Sequence, residues 1–499
     1  MDSWGNFLNG LMIALQPSNI LYCFIGSLAG TLVGVLPGIG PTAAVALLLP
    51  ATYHLNPISA IIMLCGISYG AMYGGSTTSI LVNVPGEAAS VVTCLDGYQM
   101  ARKGRAGPAL GIAAFGSFLA GTVCTIGVML LAPTLARAAL TFDSPEYFSL
   151  MLMSMVIVTY LVRGSMIKAL IMLGVGLVLG TVGMDQISGR MRFTYGLPAL
   201  TDGIGVIPIV MGMFGVTEIL ETIGSSIRRE VFDQKIKGYW PNLQDWKDSG
   251  APMARGTVLG FLMGIFPGIS PMIPTFLSYG IEKRLSKHPE RFGTGVIEAV
   301  AAPEACNNAA AVGGFVPLLS LGIPSNAYNA VLLGALMIYG LQPGPLLIKT
   351  NPNFFWGVMA SMYIGNVMLL VLNLPLIPLW VKVLRVPYTL LSVLILIFCF
   401  LGAYSINNSI YDAIFTFAFG VFGYLIKKYG FESPPLILAF VLGPLIEIAF
   451  RQSMIASSGS FTIFVSRPIS AFFILVAAGI VLTAFIKKRT FATKIEGEE

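Results

Sequence analysis

Gly30 to Pro41 reads GTLVGVLPGIGP, and Gly260 to Pro271 reads GFLMGIFPGISP. Seven of the twelve positions are identical: Gly30/Gly260, Leu32/Leu262, Gly34/Gly264, Pro37/Pro267, Gly38/Gly268, Ile39/Ile269 and Pro41/Pro271. Each copy closes an apolar run. Proline lacks the N–H a helix needs, and glycine is a poor helix former, so both segments read as breaks in membrane helices. Apolar segments interrupted by Gly and Pro at matching places in two halves point to the central site of a secondary transporter.

The surrounding chain fits that reading. Of its 499 residues, 56% are hydrophobic and 10% charged, and the mean hydropathy is +0.82. Soluble domains carry about 25% charged residues. Repeated apolar runs of about 20 residues read as helices rather than barrel strands. The fold class is therefore an all-α polytopic membrane protein with broken helices and about 12 transmembrane segments. The net charge of +6 lies mostly in loops and tail. It bears on orientation and does not argue for a nucleic-acid partner. The six cysteines form no CxxC pair, which suggests neither a disulfide framework nor a transition-metal site. The first residues lack a basic n-region and a cleavage site and read as a retained amphipathic lead-in.

Four regions follow: a first half over 1–224, a polar cytoplasmic linker over 225–255, a second half over 256–486, and a cytoplasmic tail over 487–499. A second alignment strengthens the internal repeat. At an offset of 239, Gly74 and Gly75 meet Gly313 and Gly314, and Pro85-Gly86-Glu87 meets Pro324-Ser325-Asn326. Tyr73 to Thr78 and Asn307 to Gly314 read as soft, partly unwound middles.

Basic loops add an orientation. The loop at 51–56 has no Lys or Arg, while its counterpart has Lys283, Arg284, Lys287 and Arg291. The next loop reverses the bias, with Arg102, Lys103 and Arg105 against Lys349 alone. Basic loops stay cytoplasmic, so equivalent loops lie on opposite faces and the two repeats are inverted.

Backbone that leaves a helix inside a bilayer must be satisfied by protein, water or ligand. A helix starting at Pro41 aims free N–H groups and a positive dipole end at whatever lies before it, which suits a carboxylate. Candidate substrate-binding residues are Gly40, Pro41, Thr42, Ser76, Thr77, Thr78, Ser270, Pro271, Asn307, Asn308, Ser325 and Asn326. Ser, Thr and Asn bind a polycarboxylate without burying a fixed charge. No Lys or Arg lies in these segments, so a co-bound cation is expected, with Gly38, Gly40, Asn83, Gly268 and Ser270 as its candidate ligands and Na+ as the ion. Close helix packing is the competing role for these small polar residues. Glu87, Glu298 and Glu304 are the acidic residues nearest the breaks. Helix-terminus complementation competes with a functional role for Glu304, whereas Glu87 is a gate or cation candidate.

The segments GVLPGIGPTAAVALLLP, YGGSTTSILVNVPGEAASVVTC and EAVAAPEACNNAAAVGGF resemble the large membrane subunit of the tripartite tricarboxylate transporters, the TctA family. The resemblance runs from about residue 15 to 450. It implies a bacterial inner-membrane importer of citrate or related small carboxylates, driven by an ion gradient without ATP or another cofactor. Its implied partners are a small four-helix membrane subunit and a periplasmic substrate-binding protein. The family's glycine-proline segments fall on Pro37 to Pro41 and Pro267 to Pro271, and its asparagine pair on Asn307 and Asn308. Ser270 departs from the Gly40 of the first repeat, which makes the two half-sites unequal.

No GxxxxGK[ST] motif is present, in keeping with a secondary transporter. A stand-alone cation-coupled carrier is the alternative. An intramembrane enzyme finds no nucleophile and base, and no paired carboxylates, inside the apolar segments. Alternating access by an elevator-like displacement is the preferred motion.

Overall fold

The computed structural model describes residues 3–36, 40–161, 165–223, 238, 240–383 and 388–495. The chain is, among the described residues, all-α apart from one two-residue hairpin. Among the described residues, six helices are long and apolar enough to cross a membrane, and several shorter apolar helices accompany them. The chain is thus a polytopic membrane protein.

Two compact units emerge. One joins Met1–Arg137 to Ile207–Tyr424, and the other joins Ala138–Val206 to Leu425–Glu499. The first unit contains both glycine-proline segments. Its centre is two buried helices. Pro57–Val82 is buried along nearly its whole length, and Glu298–Gly313 is buried from Ala299 onward. At 26 residues the first spans about 39 Å, more than the ~30 Å hydrocarbon core of a bilayer.

Each central helix is gripped by the long helix that runs up to the glycine-proline segment before it, Pro17–Gly34 in the first repeat and Leu243–Ile265 in the second, and glycine sets the grip. A Cβ on Gly26, Gly30 or Gly34 would fall onto the carbonyls of Met63, Ile67 and Ala71. In the second repeat, Gly256, Gly260 and Gly264 meet the carbonyls of Ala302, Cys306 and Ala310 in the same way. The first series differs from the second by 230 and its partners by 239, the two offsets read from the sequence. Small residues at every fourth position let helix backbones touch, which is how helices associate where lipid is as apolar as leucine. For Gly30, Gly34, Gly260 and Gly264, close packing is what the structure displays.

The first central helix and the helix that follows the second end alike as well. Asn83 closes Pro57–Val82 in the left-handed conformation at φ 57°, and Gly322, 239 residues later, closes Phe315–Leu321 at φ 72°. Such an end satisfies the last carbonyls and stops the helix. The expected unwinding at Tyr73 to Thr78 does not occur: the helix runs through to Val82. The glycines there serve contact, with Gly74 against Thr31 and Gly75 against Gly86. In the second repeat the softening is real but small, a single turn residue at Gly314 between two helices.

After helix Met166–Gly180 the chain forms an antiparallel pair in which Gly183 faces Arg192 and Met184 faces Met191. Two further segments differ from expectation. In the polar stretch at 225–255, residues 225–237 and 239 lie outside the described residues, and helix Leu243–Ile265 is already under way from Leu243, capped by Asn242. The helix Pro468–Ile495 runs on into the tail, whose residues 496–499 lie outside the described ones.

The second unit is fastened by ion pairs around its hairpin. Asp185 meets Arg192 at 2.8 Å and Arg451 at 2.9 Å. The Ser188 hydroxyl and these guanidiniums hold the Asp185 carboxyl well below the usual carboxylate range.

Replacing Gly260 by valine drives a branched side chain into the Cys306 carbonyl. Overpacking of this kind costs about 1–3 kcal/mol. Thermal unfolding in detergent is expected to show a lowered midpoint for Gly260→Val, while Gly280→Val, where nothing lies within 4 Å of the added Cβ, is expected to show a much smaller change.

Candidate carboxylate site

Four helix N-termini of the first unit line one cavity of about 200 Å3. The first is the start of helix Pro41–Leu48. Gly40 is extended there, at φ −71° and ψ 175°, and Pro41 takes the first helical position. The first rung of the ladder is Ala44 N–H to Gly40 C=O at 3.0 Å. The N–H groups of Thr42 and Ala43 precede that rung, and both residues line the cavity.

The second is the start of helix Met272–Leu285, preceded by Ser270 and Pro271. The third is Ala88–Ser90, with Glu87 before it. The fourth is Ala327–Ile338, whose cap Asn326 accepts from Asn329 N–H at 3.0 Å. Residues from all four starts face the same space, which Met72, Phe214, Glu218 and Tyr328 complete. A helix N-terminus carries about half a positive charge, which favours anions, while Glu87 and Glu218 set two carboxylates in the same lining.

The break before the second half-helix is held by one backbone bond. Gly268 N–H donates to Ser325 C=O at 2.8 Å. Gly268 sits at φ +88°, a conformation that disfavours any side chain. The bond ties the glycine-proline segment to the hairpin that carries Asn326. Pro37, Gly38 and Ile39 lie outside the described residues, so the Gly38 ligand does too.

The sequence candidates separate into groups. Gly40, Pro41, Thr42, Ser270, Pro271 and Asn326 line the cavity together. Asn307 reaches it indirectly, donating to Glu87 Oε1 at 2.7 Å. Ser325 lies beneath, accepting from Asn329 Nδ2 at 2.8 Å. Thr78 bonds back to the Gly75 carbonyl at 2.8 Å. Asn308 donates to the Ser117 carbonyl at 2.9 Å. Ser76 and Thr77 border a separate small void with Glu304. Of the cation candidates, Asn83 is exposed and acts as a helix terminator. The carbonyls of Gly40 and Ser270 already accept from Ala44 and Ile273.

Glu87 carries the clearest signal in the sequence, as the acidic residue next to a break. Phe214 and Glu218 lie apart from both repeated motifs, so the repeat could not have flagged them, and Tyr328 stands two residues beyond Asn326. A larger cavity of about 400 Å3 in the second unit is lined by apolar side chains such as Phe148, Leu152 and Met155. It lacks the converging polar groups that mark a specific site.

The model of the tripartite tricarboxylate transporter TctA family matches residues 20–438. The chain belongs to the TctA family. An Agrobacterium vitis protein, described as an uncharacterized 52.8 kDa protein in the TAR-I ttuC' 3' region, is 49% identical over 486 residues and covers 97% of both chains. Another from the same organism, described as an uncharacterized protein in the TAR-II ttuC' 3' region, is 50% identical over 212 residues. That match takes in 42% of this chain and 88% of the relative. No solved structure matches. The TctA chain is therefore a transporter component of the membrane, and the four-terminus cavity is its candidate carboxylate site.

Asn326 separates two roles that share one residue. Asn326→Ala removes a helix cap and is expected to cost about 1 kcal/mol of stability. Asn326→Asp keeps a capping oxygen but places a negative charge at the cavity wall. Its thermal midpoint is expected to stay near that of the parent while carboxylate uptake falls at least tenfold. Wild-type uptake by Asn326→Asp would contradict an anion site here.

Proposed function

We propose that this TctA chain is the large transmembrane subunit of a binding-protein-dependent secondary importer of citrate or related small carboxylates, coupled to a cation gradient with Na+ as the ion. The observation that carries the proposal is the convergence of four helix N-termini on one cavity whose lining, among the described residues, contains no Lys or Arg. Carboxylates would be held by the Thr42 and Ala43 N–H groups and by the hydroxyls of Thr42 and Ser270. Such a site favours anions through fixed dipoles, which need no reorganisation and bury no permanent positive charge.

Glu87 and Glu218 in the same lining explain why a cation belongs to the cycle. A polyanion entering beside carboxylates needs their charge offset. A cation bound or a proton gained before the substrate does this, and the affinity of each then depends on the other.

The partners of this reading are a small four-helix membrane subunit and a periplasmic substrate-binding protein, in a bacterial inner membrane. The two repeats would be inverted, with the glycine-proline breaks approaching the cavity from opposite faces. Exposure of the cavity to either side in turn completes the cycle. An elevator-like displacement remains the preferred form of that motion.

Uptake of [14C]citrate into proteoliposomes containing this chain and its small partner tests the proposal. Uptake is expected only with both an inward Na+ gradient and the binding protein. Uptake with Na+ alone would identify a stand-alone carrier. Saturable uptake driven by a proton gradient without Na+ would reject Na+ as the coupling ion.

A further inference from the structure

A second polar centre lies in the first unit, where the two buried central helices meet. Glu304 is 2% exposed, in the middle of helix Glu298–Gly313. One carboxylate oxygen accepts from the Ser76 hydroxyl at 2.6 Å, and the other accepts from the Thr93 hydroxyl. Among the described residues no Lys or Arg side chain is paired with it. A small void of about 10 Å3 adjoins it, lined by Ser76, Thr77, Ser117 and Asn373.

Asn373 gives the void its meaning. The residue is 4% exposed. Its Nδ2 donates to the Leu369 carbonyl at 2.8 Å, which leaves Oδ1 buried with no hydrogen-bond partner. The buried amide oxygens of Asn307, Asn308 and Asn329 also lack a partner, but among these asparagines it is Asn373 that lines the void beside Glu304. A proton on Glu304 would leave Asn373 Oδ1 as it is. An atom in the void with affinity for oxygen lone pairs would satisfy both.

We infer that Glu304, Ser76, Thr77 and Asn373 form a binding site for one Na+ ion, separate from the helix breaks. The donors are a carboxylate, hydroxyls and an amide carbonyl, all hard oxygens, with no thiolate or imidazole among them. One carboxylate balances one monovalent charge, whereas a divalent ion would be left with excess charge in a buried site. A void near the size of one probe sphere has room for a single small body. The hydroxyls are free to turn their lone pairs inward. Ser76 Oγ lies 3.3 Å from the Met72 carbonyl, a second acceptor for its proton besides Glu304, and Thr77 Oγ1 donates to the Tyr73 carbonyl at 3.3 Å, so both protons can point to the backbone.

The site is wired to the carboxylate cavity. Asn307 follows Glu304 by three residues, on the same helix face. Its amide donates to Glu87, which lines that cavity. The inference deepens the proposed cation coupling and rests on that reading for its role in transport, but the ion's binding is measurable without substrate.

The test is the thermal unfolding of the purified full-length chain in detergent, with NaCl against choline chloride at constant ionic strength. A saturable, Na+-specific rise in midpoint is expected for the wild type. Glu304→Gln is expected to abolish it. Asn373→Leu and the near-isosteric Thr77→Val are expected to raise the half-saturating Na+ concentration at least tenfold, and they serve as readouts if Glu304→Gln does not fold. No Na+-specific rise in the wild type, or unchanged Na+ dependence in the variants, would overturn the site. Na+-driven uptake that persists unchanged in Thr77→Val and Asn373→Leu would sink this site but spare coupling. A Na+-specific rise lost in the variants, with uptake indifferent to Na+, would uphold the site and sink coupling.

Discussion

A backbone that leaves its helix inside a bilayer has no water to turn to, and the first unit is built around meeting that demand. The Gly268 N–H finds the Ser325 carbonyl. Asn326 caps one helix, Asn83 and Gly322 close two others in left-handed turns, and Gly40 supplies the first acceptor of the helix at Pro41. What these devices leave over, chiefly the first N–H groups of helices aimed into one cavity, is available to a ligand. The proposed anion site and the breaks are, on this reading, one feature seen from two sides.

Close packing makes such breaks tolerable. Two central helices are seated against their predecessors by glycines at every fourth residue, with backbone on backbone. That leaves little room for side-chain adjustment, so the breaks occur at fixed heights along rigid partners. It also removes both central helices from lipid, and they are then able to carry Ser76, Thr77, Glu304, Asn307 and Asn308 in their interior.

Much of this was legible because it is local or repeated. The Pro41 helix start follows from proline at the first helical position. The offsets of 230 and 239 recur as matching glycine contacts and matching left-handed helix ends, since a repeated sequence segment repeats its backbone. The spacing Gly26, Gly30, Gly34 is also a packing signal, one that reading Gly30 and Gly34 as part of the break passed over. What was not legible depends on contacts across the chain. Ser76 and Glu304 are 228 residues apart, and no spacing announces their bond. Tyr73 to Thr78 looked soft because glycine and hydroxyl residues disfavour isolated helices, yet burial against Thr31 and Gly86 keeps them helical. Asn83 looked like a ligand and is a helix terminator, because asparagine tolerates the left-handed region.

The central claim is that the two glycine-proline segments belong to inverted repeats and reach one cavity from opposite sides of the membrane. Single cysteines at His54 and Lys287 test it most directly. Both positions are exposed, and five of the six native cysteines are buried, with Cys94 replaced to clear the background. An impermeant thiol reagent applied to one side of sealed vesicles is predicted to label one of the two positions and spare the other, and the pattern is predicted to reverse in inside-out vesicles. Equal labelling of both positions from the same side would contradict the account.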